Sequence, residues 1–348
     1  MRAAGRFFRW IIISVVMQVV LLAYFNFIYI PGRNNVRATM YELPEDKVEN
    51  REIKIPLEAE KVRVSYNGSY AAYIIDGNLE IAGIENKRFK KVIKRSGEIF
   101  SHVRWLPDRD MLIYSLKSSD SSARYVEIAT YDLDAGVERS YPKIEDLPKG
   151  SEVTSIELSP LTNIVYVKIK VGDSTSKVYK YNIMDNLKFV VTLDNNTVMK
   201  ETFYSDNLVY QGQSYKIFVR NGRTNTSKTL AFKGKMVLLG VDSEDNIYAG
   251  ELDKDNKVCK VYYGKHNAES VKSWKQVSLE NPAASGKIFV TDEGSIMIED
   301  EKEKYVYTVG SPGKTAYKGD IVEVLNDYLV TKEGKNLKLT VLKPDSEK

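Results

Sequence analysis

HVRWLPDRDMLIYSL, residues 102–116, decides how this chain folds. It gathers His102, Arg104, Asp108, Arg109 and Asp110, and the 348-residue chain contains one other histidine. The stretch reads either as an acid–base cluster or as strand, turn and strand. The turn reading has a mechanical basis. In Pro107-Asp108, proline presets the backbone and aspartate hydrogen-bonds its own turn. Side chains alternate along a strand, so His102, Arg104 and Leu106 share one face while Ser101, Val103 and Trp105 share the other.

The same order recurs along the chain. KVRVS, a turn at Asn67-Gly68, YAAYII, a turn at Asp76-Gly77, NLEIAG and KRFKKVIK form one four-strand unit. A second begins with the opening stretch, and four more follow, with first turns near Leu161, Asp206, Asp245 and Glu293. These turns are about 45 residues apart, the spacing of four-stranded propeller blades. The C-terminal stretch IVEV, DYLVT and NLKLTVL supplies only three strands, and REIKIPL, residues 51–57, is an orphan before the first unit. Pairing the orphan with those three closes a ring and removes its open sheet edges. The expected fold is therefore all-β, a β-propeller of seven four-stranded blades. A β-sandwich followed by another β-domain is the alternative.

The turns WLPDRD before MLIYS and LSPLTN before IVYV resemble the blade signature of TolB-type propellers and of the non-catalytic propeller of the dipeptidyl peptidase IV family. The likeness covers residues 51–342 and implies a propeller architecture, with no particular ligand. Only the second and third units carry the proline, and neither has the full Pro-Asp-Gly. The hydrolase half of such peptidases carries Gly-x-Ser-x-Gly. This chain has no such pentapeptide, so the resemblance does not extend to peptidase activity.

The first residues stand apart from the blades. Trp10–Ile30 is uncharged and about as long as a bilayer-spanning helix requires. Arg2, Arg6 and Arg9 precede it, which favours a cytoplasmic N-terminus with the remainder outside the cytoplasm. A cleaved signal peptide would have a shorter apolar core and small residues at the cut. The expected organisation is a cytoplasmic segment 1–9, a membrane anchor 10–30, a tether 31–50, an extracytoplasmic propeller 51–342 and a tail 343–348.

Five arginines before residue 38 carry the excess charge. Without them, 46 basic residues face 47 acidic ones, so no nucleic-acid-binding surface is indicated. Cys259 is the only cysteine, which excludes an intramolecular disulfide. No cofactor or metal is expected. Asp253, Asp255 and Asn256 begin like a calcium loop, but Val258 and Gly264 stand where glycine and glutamate are needed.

Two function classes remain. The leading expectation is a non-enzymatic module that binds a protein or a surface glycan, with bacterial envelope assembly or polysaccharide export as the setting. The alternative is a glycan-active hydrolase or lyase in the channel, which needs two carboxylates about 5–9.5 Å apart. Glu157 and Glu201 are the pair the sequence offers. His102 and Arg104 join them as candidate channel-lining residues.

Overall fold

The computed structural model describes residues 2–29, 48–120, 124–182, 184, 186–267 and 271–342. Most of the expected tether and all of the tail 343–348 lie outside the described residues. The chain divides into two units between Lys47 and Val48. The first contains an α-helix, Arg2–Tyr24, continued by a π-helical turn, Phe25–Tyr29. Its apolar stretch Phe8–Phe27 has a mean hydropathy of 2.1 and is long enough to cross a membrane. The helix starts well before Trp10 because RAAGRFFR is rich in strong helix formers. One apolar helix near the N-terminus is consistent with a signal anchor or a signal peptide.

The second unit is a seven-bladed propeller, each blade a four-stranded antiparallel sheet. The innermost strands of blades 1 to 7 are Glu60–Val64, Glu98–Trp105, Glu152–Ser159, Met199–Glu201, Met236–Val241, Ile288–Val290 and Asp320–Val324. Blades 1 to 6 are each built from consecutive strands, as the repeats predict. Blade 7 takes its three inner strands from the C-terminal stretch and its outermost strand, Arg51–Lys54, from the start of the ring. Arg51 pairs with Leu339, Glu52 with Lys338 and Ile53 with Leu337.

The core lies between neighbouring blades. Leu106, Ile113, Ile128, Ile156, Val167 and Tyr181 fill the space between blades 2 and 3. Ile55, Val62, Val64, Tyr328, Val330 and Leu339 fill it between blades 7 and 1. Each fully buried aliphatic or aromatic side chain contributes about 1.5–3 kcal/mol, so every blade depends on both neighbours.

The turns between first and second strands are capped from within. Ser65 accepts the N–H groups of Ser69 at 3.1 Å and Tyr70 at 3.0 Å. Ser159, Thr202, Asp242 and Thr291 do the same in blades 3 to 6. Blades 2 and 7 place Leu106 and Leu325 there and keep only the backbone bond, from the leucine N–H to the Met111 and Tyr328 carbonyls, which the capped blades 1, 4, 5 and 6 also make. In the quoted stretch, exposed Arg109 pairs with Asp108 at 2.6 Å. Asn67 of blade 1 reaches Asp110 at 3.4 Å. The charged cluster is therefore a strand followed by a turn that ties two blades together.

Similar ties join later blades. Asp245 of blade 5 accepts the N–H groups of Phe203 at 2.5 Å and Tyr204 at 2.9 Å, both from the blade 4 turn. Gly240 allows blades 5 and 6 to approach, since a Cβ there would lie 2.8 Å from the Cβ of Val290. Asp206, buried in the blade 4 turn, accepts the Tyr166 hydroxyl of blade 3 at 2.6 Å and pairs with Lys180 of the same blade. Burial, reinforced by Asp206, raises the Tyr166 hydroxyl pKa and keeps it a donor. Removing one partner of a buried pair costs about 3–5 kcal/mol, whereas a lost hydrogen bond to a charged group costs about 1.5–3 kcal/mol. Asp206→Ala is therefore expected to lower unfolding free energy about twice as much as Tyr166→Phe, measured by urea titration. Equal effects would contradict the network.

Candidate functional site in the central channel

The seven units align on their turn caps. Two residues before that position stand Arg63, Arg104, Glu157, Lys200, Gly240, Phe289 and Glu323. Strand register supports the equivalence: Arg63 pairs with Ala72, Arg104 with Ile113, Glu157 with Tyr166 and Lys200 with Val209. In order around the ring, blades 7, 1, 2, 3 and 4 thus carry Glu323, Arg63, Arg104, Glu157 and Lys200. Blades 5 and 6 carry uncharged residues. One continuous arc of the innermost strands is therefore charged.

Neighbouring blades pair along this arc. Arg104 Nη1 donates to Glu157 Oε2 at 2.7 Å and to the Ile156 carbonyl at 2.5 Å. Lys200 Nζ lies 3.3 Å from Glu157 Oε1, which also accepts from Ser155 at 3.2 Å. Glu157 is buried, which opposes ionisation, yet Arg104 and Lys200 hold its pKa below the usual carboxylate range. Glu323 of blade 7 accepts the Val64 N–H of blade 1 at 2.5 Å. Burial outweighs that bond and the nearby Arg63 charge, and the Glu323 pKa is raised.

The four residues singled out from the sequence have different surroundings. Arg104 and Glu157 are brought together as an ion pair. His102 lies two residues before Arg104 on the same innermost strand and is half-buried. Burial and the Arg63, Arg104 and Lys61 charges lower its pKa to about 4, so it is neutral at pH 7. Glu201 occupies the next position along its strand from Lys200. The other blades place Val64, Trp105, Leu158, Val241, Val290 and Val324 there, all apolar. Glu201 is buried, and Thr162 of blade 3 donates to it at 3.3 Å. Burial and the Asp206 charge raise its pKa well above the ordinary carboxylate value.

Sequence reasoning missed Arg63, Lys200, Glu323 and Asp292. Asp292 sits in the blade 6 turn, exposed to solvent yet within electrostatic range of Arg104, Lys200 and Glu157. Burial among protein atoms raises its pKa despite those two cations. Aligning the units on the residue before the apolar-then-Ser/Thr/Asp pair would have found Arg63; Lys200 precedes Glu201-Thr202 and Glu323 precedes Val324-Leu325, so each departs from that pattern. Asp292 follows a turn cap and carries no such signal. Among the described residues, no group of three His, Cys, Asp or Glu side chains could hold a metal ion. The arc can present fixed positive and negative groups to a ligand.

No family model matches the chain, and no curated protein matches its sequence. Solved structures match its fold. A chain of the Mitotic Checkpoint Complex is similar with a TM-score of 0.53 and 10% identity, over 84% of this chain and 94% of that one. The Swd1 β-propeller domain of Myceliophteria thermophila is similar with a TM-score of 0.52 and 12% identity, over 83% and 97%. Porphyromonas gingivalis dipeptidyl peptidase 4 has a TM-score of 0.45 and 9% identity, over 71% of this chain and 41% of that one. At such identities the likeness is one of fold. The chain is a seven-bladed β-propeller preceded by an apolar helix.

The histidine gives a pH test. With its folded pKa near 4 and an unfolded value of about 6.5, His102 binds its proton more readily when unfolded. Its contribution is fully present above pH 6.5 and is lost as pH falls towards 4. Unfolding free energy measured across that window should fall more steeply for the wild type than for His102→Gln. Parallel curves would contradict a neutral, enclosed His102.

Proposed function

We propose that this chain is a non-enzymatic, membrane-anchored binding module whose propeller lies outside the cytoplasm and engages a protein or surface glycan. The observation that carries the reading is the state of Glu157. Its two oxygens are held by Arg104 and Lys200 and its pKa is lowered, so it is unsuited to donate or to take a proton. Its proposed companion Glu201 is buried against blade 3 at a position that is apolar in every other blade. A hydrolase requires one carboxylate free to donate a proton and another free to attack or to activate water. A propeller instead offers a rigid ring with many loops at each rim, suited to recognition. The three arginines at the start of the N-terminal helix, ahead of its uncharged stretch, support a cytoplasmic N-terminus. Envelope assembly or polysaccharide export is the setting we infer from anchor and propeller together.

Three experiments test this reading. In a Cys259→Ala background, Met184→Cys places a thiol at a position 76% exposed. A membrane-impermeant maleimide should label it on intact cells, and labelling only after lysis would contradict the topology. Crosslinking in intact membranes should capture a defined partner through the propeller. Turnover of a surface polysaccharide that disappears in Glu157→Gln, with folding retained, would contradict the non-enzymatic reading.

A further inference from the structure

The outer part of blades 5 and 6 contains a groove of about 890 Å³ that the channel does not explain. Its size lies within the roughly 300–1,000 Å³ of small-ligand clefts. A departure from the blade pattern forms one wall. In the outermost strand of blade 5, Lys275–Ala283, Ser278 pairs with Lys260 and Ala283 with Val258. Leu279 to Pro282 therefore bulge from the ladder opposite Cys259. Bulges of this kind re-aim side chains beside functional sites. Leu279 turns into the core, while Glu280 and Asn281 are exposed and line the groove.

The facing wall belongs to blade 6. Tyr305 and Tyr307 share a face of one strand, with ring centroids 6.0 Å apart. The Glu280 charge reaches the Tyr307 hydroxyl from the opposite side and helps raise its pKa, although burial is the larger cause. Lys314 lies 4.3 Å from the Tyr305 ring centroid, leaving half-buried Tyr307 as the apolar platform. Lys287 bridges Glu299 at 3.0 Å and Glu301 at 3.1 Å, and the Tyr317 hydroxyl donates to Glu299 at 2.5 Å.

The chemistry of this lining selects among ligands. A peptide added as a strand needs a continuous backbone edge; here the edge is interrupted by the bulge, and Pro282 has no N–H. Glu280, Glu299, Asp300 and Glu301 disfavour a phosphate or other polyanion. No metal cluster is found among the described residues. A neutral polyhydroxylated ligand fits what remains. A sugar ring has an apolar C–H face to lay on tyrosine, and hydroxyls that donate to carboxylates and both donate to and accept from an amide.

We propose that the groove between blades 5 and 6 is a saccharide-binding site for a short neutral glycan segment. The proposal deepens the binding-module reading and rests on it. The test uses the full chain in detergent, titrated by calorimetry with cellotriose, maltotriose and chitotriose. At least one trisaccharide should bind saturably. Its affinity should fall at least tenfold in Tyr307→Ala and in the double variant Glu280→Ala/Asn281→Ala, and remain unchanged in Met184→Ala, an exposed position of blade 3 outside the groove. Tyr307→Phe keeps the ring and should bind within a few-fold of the wild type, which separates loss of the platform from misfolding. Absence of saturable binding by all three sugars, or binding untouched by the groove variants, would overturn the proposal. A crosslinked protein partner retained under those outcomes would leave the module reading standing.

Discussion

The ring exists because its first strand finds its last sheet. Arg51–Lys54 pairs with Asn336–Leu339 across almost the whole propeller sequence. The ladder is reinforced nearby: Lys332 donates to the Leu57 and Ala59 carbonyls at 3.3 and 2.9 Å. Asn50 accepts the Val341 N–H at 2.8 Å. Without this pairing, blade 7 would end on the six-residue strand Asn336–Val341 instead of the four-residue Arg51–Lys54, and a longer edge is a better template for association with other chains. The apolar seam between blades 7 and 1 would also open. The cost of closing so long a loop grows only slowly with its length, so buried seams around the ring can offset it.

Closure fixes where every innermost strand ends, and each unit then divides its labour by position. In five units a small polar residue caps the turn; in every unit the residue before the cap position packs towards the preceding blade, and the one before that meets the axis. Packing holds the first two positions to a narrow set of residues. The axial position is freer, and there the chain has placed charge on five adjacent blades. Paired charges of this kind are costly to desolvate, and their value lies more in fixing geometry than in adding stability. The Arg104–Glu157–Lys200 chain thus joins three blades at the axis.

Much of this was legible beforehand because propeller blades write themselves into sequence twice. Strands show alternation, and hairpins need residues that tolerate positive φ. Asp76 and Gly77, at φ 48° and 73°, form such a hairpin where the sequence places it. The orphan REIKIPL was legible as the missing strand because only one unit was short of a partner. The site was less legible. Alternation puts Arg104 beside the axis but cannot say that Glu157 would meet it, since that contact joins strands from different blades. Glu201 carries the same carboxylate as Glu157 one blade further on, yet a shift of one position along its strand turns it against Thr162 of blade 3 rather than towards Arg104 and Lys200. The groove of blades 5 and 6 left no sequence signal, because a four-residue bulge looks like a longer strand until its register is seen.

Closure by register is the central claim and can be measured directly. In a Cys259→Ala background, Glu52→Cys and Lys338→Cys would stand opposite each other on paired strands. Mild oxidation of the folded full chain should join them, giving a reducible form of altered gel mobility with no thiols free for maleimide. Moving the first cysteine to Ile53 should greatly reduce the yield, because one residue along a strand reverses the side-chain direction. If both thiols stay free in the folded protein, or if the two positions crosslink equally well, the ring is not closed in this way.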